Sequence, residues 1–189
     1  MKMKLFALSM VCLLALSTTA APSRVLAAED EKEEVSFRLK GLDGRAFELE
    51  KLRGNVLLVS FGATWCQPCV AELRALEELK REYAGRPVRI LWVTIEGEDE
   101  ISDRDLREYA RRQRVTLPVL RDVGKLTYAQ FSSRLRVPLV VFFDAEGRVV
   151  RPVQFGMAKP EEYKTRVRER IDKLLAGQKL DQKSSAATE

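Results

Sequence analysis

The chain has 189 residues, 46% hydrophobic and 32% charged, which suits one domain able to bury its own core. Its 33 Lys and Arg stand against 28 Asp and Glu, and the signs mix along the chain (Arg107, Glu108, Arg111, Arg112), a pattern of solvated helix faces that points away from a nucleic-acid partner. There are three cysteines and no histidine, which excludes Cys–His hydrolases, histidine-bearing copper centres and zinc sites completed by imidazole.

Lys2 and Lys4 precede an apolar run from Leu5 to Leu16, and a small-residue stretch ends at Val25-Leu26-Ala27. That order predicts a secretory signal peptide over residues 1–27, cut after Ala27 with Ala20 and Ala28 as neighbouring choices, and so a periplasmic or extracytoplasmic protein. The apolar run falls short of the roughly 20 residues that span a bilayer, and an uncleaved N-terminal anchor is the alternative. No lipobox precedes Cys12. Cleavage removes Lys2, Lys4, Arg24 and Cys12 and no acid, leaving 30 basic residues, 28 acidic ones, and Cys66 and Cys69.

Residues 28–34 (AEDEKEE) read as a charged linker to a domain over 35–176. Alternation at 35–39 and 46–49 around Gly41-Leu42-Asp43-Gly44 predicts a β-hairpin. The apolar runs 55–64 and 87–97 predict strands buried on both faces. Between them, Val70, Leu73, Leu76, Leu79 and Tyr83 line one side of a helix over 67–83, with Pro68 in its first turn. Ser102, with Asp105 three residues on, caps a helix over 103–114. A short apolar piece at 117–120 leads to a helix near 124–133. Residues 136–156 read as strand, turn and strand, and a closing amphipathic helix over 160–176 stops at Gly177. The tail, 177–189, is expected to be polar and disordered. Right-handed crossovers stack these elements as an α/β fold, a central mixed sheet with helices on both faces and an N-terminal hairpin.

Cys66 falls where a buried strand meets a helix, facing unpaired backbone N–H groups and the positive end of the helix dipole. Its thiol is expected to titrate below the roughly 8.5 of free cysteine, while Cys69, one turn further in, keeps its proton. The pair then divides into a nucleophile, Cys66, and a resolving thiol, Cys69. A structural disulfide is the bland alternative, but so small a loop removes little unfolded-state entropy. Two thiolates holding Cu(I) form a third reading. No metal and no cofactor are expected.

Trp65-Cys66-Gln67-Pro68-Cys69 after a buried strand resembles the active site of the thioredoxin superfamily. With the export signal, the hairpin and Glu72, the chain resembles the TlpA/ResA branch of extracytoplasmic thiol–disulfide oxidoreductases from about Val35 to Ala176. The resemblance implies a thioredoxin-like three-layer sandwich. It implies a cis Val137–Pro138 bond, with the backbone of Val137 facing the cysteine pair and docking the substrate chain. Glu72, three residues after Cys69, shares its helix face. The family's acid at this offset relays the proton of the buried cysteine, against an ordinary exposed glutamate like Glu77 or Glu78. Trp65 is expected to shield the sulfurs and meet partners, against simple core packing.

Two positions depart from the family pattern. Arg74 stands where the helix usually carries a kinking proline, and Leu139 where threonine is common. Gln67-Pro68 offers no histidine to stabilise the reduced thiolate, so the couple is expected nearer thioredoxin's roughly −270 mV than −120 mV. The branch implies disulfide-bearing client proteins, for example apocytochrome c during cytochrome c maturation, and a membrane electron donor of the CcdA/DsbD type. A periplasmic oxidant or isomerase is the runner-up. A peroxiredoxin would need threonine at position 63, where alanine stands.

Overall fold

A computed structural model of the protein describes residues 35–157 and 159–186. The expected signal segment with Cys12 and the linker at 28–34 lie outside the described residues.

Seven strands form one mixed sheet in the order β2-β1-β5-β4-β3-β6-β7. They are β1 (Arg38–Gly41), β2 (Ala46–Glu48), β3 (Val56–Gly62), β4 (Val88–Thr94), β5 (Val119–Arg121), β6 (Leu139–Phe143) and β7 (Val149–Phe155). The central strands β3, β4 and β5 run parallel, and β1 and β6 flank them antiparallel. β3 is buried along its whole length, as its unbroken apolar run requires of a strand covered on both faces.

Alternation along β3 feeds two cores. Val56 and Leu58 point to a cluster closed by α1 (Gln67–Glu82) and α4 (Pro160–Ala186) through Leu76, Leu79, Tyr163, Val167 and Ile171. The same face continues under α2 (Asp103–Arg112), where Trp92 stacks on Tyr109. Leu57, Val59 and Phe61 point the other way, to Phe37, Tyr128 and Phe131. The second face therefore has a thinner cover than the first: the segment around Phe37, a 3-10 turn at Leu49–Leu52 and the short α3 (Leu126–Ala129).

The expected helix near 124–133 is this four-residue α3. It begins where Gly124 and Lys125 take positive φ and the Asp122 carboxylate accepts the N–H groups of Thr127 and Tyr128 at 3.0 and 2.7 Å. Past Ala129 the chain continues in tight turns, with Gln130 N–H on the carbonyl of Thr127 and Phe131 N–H on that of Tyr128, and then Ser132 Oγ and Tyr128 Oη donate to the carbonyl of Arg134 at 2.7 and 2.9 Å. Ser102 caps α2 as predicted, accepting the N–H of Asp105 at 3.2 Å. Pro152 lies on the edge strand β7, where no neighbour needs its missing N–H, inside a register shift opposite Val140 and Phe142.

Gly177 does not end the closing helix, which continues to Ala186 through the stretch expected to be disordered. A glycine inside a helix costs about 1 kcal/mol, less than a break requires, and the next residue anchors the chain: Gln178 Nε2 donates to the carbonyl of Gly54 at 2.9 Å. Among the described residues, no helix is long and apolar enough to cross a membrane.

Candidate active site

β3 ends at Gly62, and four residues later the chain enters α1. Cys66 is the N-cap of that helix, in an extended conformation, and its sulfur accepts the N–H of Cys69 at 3.3 Å. The sulfur thus occupies the position where a serine or aspartate side chain usually satisfies an orphan helix donor. An anionic sulfur gains more from that donor, and from the dipole behind it, than a neutral one. Cys66 and Cys69 are joined as a disulfide with their Cα atoms 5.3 Å apart. Cys66 retains 4% exposure and Cys69 has none, so a partner reaches the pair through Cys66.

The approach to Cys66 is clamped from β4. Glu96, buried just beyond the strand, accepts the N–H of Thr64 through one carboxylate oxygen and its hydroxyl through the other, both at 2.7 Å. Thr94 donates a third bond at 2.9 Å, and Ile95 N–H ties back to the carbonyl of Gly62 at 3.0 Å. Sequence reasoning misses Glu96. Its only signal there is an acid at the end of an otherwise apolar strand.

Trp65 is 60% exposed beside the pair, so it is not core packing. The Val137–Pro138 peptide is cis, as the family resemblance implies. Leu139 pairs with Phe61, which puts Pro138 at the end of β3 from which the cysteine loop departs. Val137 packs against the cluster holding Cys66 and Cys69, and its peptide groups lie outside the β6 ladder, which begins at Leu139. Tyr128 fixes the preceding loop: its hydroxyl accepts the N–H of Arg136 at 2.8 Å and lies 2.9 Å from the carbonyl of Arg134. Leu135, in that loop, is exposed.

Glu72 is wholly buried, which removes the reading of it as an ordinary exposed glutamate. Ser60 Oγ donates to one carboxylate oxygen at 2.7 Å and Tyr163 Oη to the other at 2.8 Å. Burial raises its pKa to about 7, against the pull of those two donors in the opposite direction. Glu77, the exposed comparison, is also buried; its carboxylate accepts the N–H groups of Thr116 and Leu117. Arg74 points to solvent and takes no part in the bonds to Glu72, and α1 runs unbroken from Gln67 to Glu82. Neither Ser60 nor Tyr163 is singled out by the sequence.

With the geometry in place, comparison with known proteins gives a consistent answer. Residues 31–151 match the model of the AhpC/TSA family. The thioredoxin-like protein YneN of Bacillus subtilis is 28% identical over 134 residues, covering 71% of this chain and 76% of that protein. The thiol-disulfide oxidoreductase ResA of Bacillus cereus is 28% identical over 122 residues, 65% of this chain and 68% of that protein. Among solved structures, the pneumococcal exposed lipoprotein thioredoxin (Etrx1) from Streptococcus pneumoniae superposes with a TM-score of 0.60 at 27% identity, covering 71% of this chain and 99% of that one.

Proposed function

The chain belongs to the AhpC/TSA family, and from that premise we propose that it is an extracytoplasmic thiol–disulfide oxidoreductase that reduces disulfides in client proteins. One observation carries the reading: the Cys66 sulfur caps α1 and accepts the Cys69 N–H, while Cys69 is sealed beneath it.

The cycle follows from that asymmetry. In the reduced protein the Cys66 thiolate attacks one sulfur of a client disulfide, forming a mixed disulfide and releasing the other client sulfur as thiolate. Cys69 then loses its proton to Glu72 and attacks the Cys66 sulfur. The Cys66–Cys69 bond forms, the bond to the client breaks, and the electron pair leaves on the second client sulfur. Two electrons have passed from the enzyme dithiol to the client. Trp65 adjoins Cys66, the more exposed residue of the pair, and Val137 packs against the cluster that holds both cysteines; in this reading Val137 and Pro138 offer unladdered peptide groups to an extended client segment and Trp65 an apolar surface.

The direction rests on the spacer Gln67-Pro68, which lacks a histidine to favour the reduced thiolate and so suits a reducing couple. Export rests on the basic, apolar and small-residue order of residues 1–27. A reductase outside the cytoplasm needs electrons delivered across the membrane, the role of a CcdA/DsbD-type donor. The client named by this branch is an apocytochrome c whose haem-binding cysteines must be reduced.

The test combines alkylation and trapping. Iodoacetamide should label Cys66 first in the reduced protein, with a rate midpoint below the roughly 8.5 of free cysteine, and Cys69→Ala should accumulate mixed disulfides with exported proteins. Equal labelling of both thiols near pH 8.5 would sink the mechanism. A couple above about −180 mV would mark an oxidant or isomerase instead. Tight Cu(I) binding without insulin reduction would mark a copper module.

A further inference from the structure

The Glu72 carboxyl is closed in by three elements. Cys69 precedes it by one turn on α1, Ser60 reaches it from β3, and Tyr163 reaches it from α4, 91 residues away in sequence. Among the described residues, both hydrogen-bond partners of its carboxylate are hydroxyls. Arg166 bears on Tyr163, and Lys164 is engaged by Glu78 and Glu161. These two hydroxyls are the donors that hold the ionised acid.

Resting on the reading of Glu72 as the proton relay, we propose that Tyr163 is a positioning residue whose hydroxyl, together with that of Ser60, aims the Glu72 carboxyl and sets how readily it takes and gives up the Cys69 proton. The partners fit both states of the acid. As a carboxylate it accepts from both hydroxyls. As an acid its own O–H can donate to a hydroxyl oxygen, because serine and tyrosine each donate and accept. The proton is housed without moving a heavy atom, in a pocket where an unpartnered ion would be costly. During resolution Cys69–SH passes its proton to Glu72, and the thiolate displaces the client sulfur from Cys66. The proton stays on Glu72 until re-reduction of the pair returns it to Cys69. Tyr163 has no exposed surface and its own titration lies well above the ordinary tyrosine range, raised by burial and by Glu72. It keeps its own proton throughout, and α4 thereby becomes part of the redox site.

The test uses the full chain, wild type and Tyr163→Phe, with Ser60→Ala as the variant that probes the same carboxyl from β3. The Glu72 carboxyl is titrated by carbon-13 NMR, assigned against Glu72→Gln. In parallel, single-turnover reduction of oxidised glutathione by the reduced protein is followed against pH. Tyr163→Phe keeps the ring and removes one donor from the charged form, so the Glu72 midpoint should rise by about one pH unit or more. The rise of the resolution rate with pH should move by the same amount, and this rate effect of Tyr163→Phe should vanish in the Glu72→Gln background. An unmoved midpoint in an active enzyme removes Tyr163 from the site, as does a rate loss that persists when Glu72 is glutamine. A wild-type protein that reduces no disulfide removes the relay itself, a result distinct from either.

Discussion

Thr64 and Glu96 meet twice: the backbone N–H and the hydroxyl of Thr64 each donate to a separate oxygen of the Glu96 carboxylate at 2.7 Å. This fork holds the peptide two residues ahead of Cys66, so the aim of the nucleophile is set from β4 and not only by α1. Glu96→Ala leaves three donors without their acceptor: the buried Thr94 Oγ and the N–H and hydroxyl of half-buried Thr64. Leaving buried donors unmade costs roughly 1–3 kcal/mol each, and partial relaxation of the loop suggests a total of about 2–4 kcal/mol. Thr64→Val keeps the N–H bond and loses only the hydroxyl, for about 1 kcal/mol. Urea unfolding of the oxidised proteins measures both, and Glu96→Ala should also slow alkylation of reduced Cys66. Equal stability of the two variants would show that the backbone bond contributes nothing.

What could be read in the sequence follows the range of the interaction that defines it. Cys66, Cys69 and the N-cap position are local, fixed by one strand end and one helix start, and the sequence places them. The buried strands and Ser102 are local as well. The partners of Glu72 are not: Ser60 reads as a polar interruption of an apolar run, and Tyr163 as one apolar position on a closing helix. Their meeting depends on the packing of α1 and α4 on the same side of β3. Glu77 shows the same limit from the other side, since its burial is decided by the loop at Thr116 and Leu117 and not by its own helix period. The start of α3 is hidden because the positive φ of Lys125 is a tertiary demand that no lysine propensity announces.

Burial of Glu72 makes stability depend on pH in a stated direction. Its pKa is raised from 4.5 to about 7 by desolvation, so the folded chain binds a proton that the unfolded chain has released between those values. Stability attributable to this group is complete below about pH 4.5 and is lost as pH rises through about 7, by a total of about 3 kcal/mol. Glu72→Gln carries no such proton. The stability of wild type minus that of Glu72→Gln should therefore fall from pH 5 to pH 8, measured by urea unfolding at each pH. A constant difference would show that the carboxyl is not desolvated.

Gly62 lies against the indole of Trp92: a Cβ built at Gly62 would sit 2.8 Å from Nε1 and 3.2 Å from Cε2 and Cζ2. Trp92 is fully buried between β4 and α2 and has no room to retreat. The constraint is steric, since Gly62 has no positive φ. Gly62→Ala should cost about 1–3 kcal/mol by overpacking and shift the Trp92 contribution to the fluorescence, with thermal unfolding as the measure. Full stability would mean that the indole can yield.

Gly177 separates two accounts of how the chain closes, and they differ in sign. If α4 passes through it to Ala186, the residue is an interior helix glycine with no positive φ, and a methyl group added to its Cα would meet nothing within 4 Å. Alanine there fills open space and lowers the entropy of the unfolded chain, so Gly177→Ala should stabilise by about 0.5–1 kcal/mol. If the helix ended at a left-handed Gly177 cap, the same substitution would force alanine into an unfavourable conformation and destabilise. The bond from Gln178 to the Gly54 carbonyl favours the first outcome, because it fastens the helix to the sheet end one residue past the glycine. Thermal unfolding of Gly177→Ala beside wild type, with helix content by circular dichroism, decides between them: a lower Tm would place the end of α4 at Gly177.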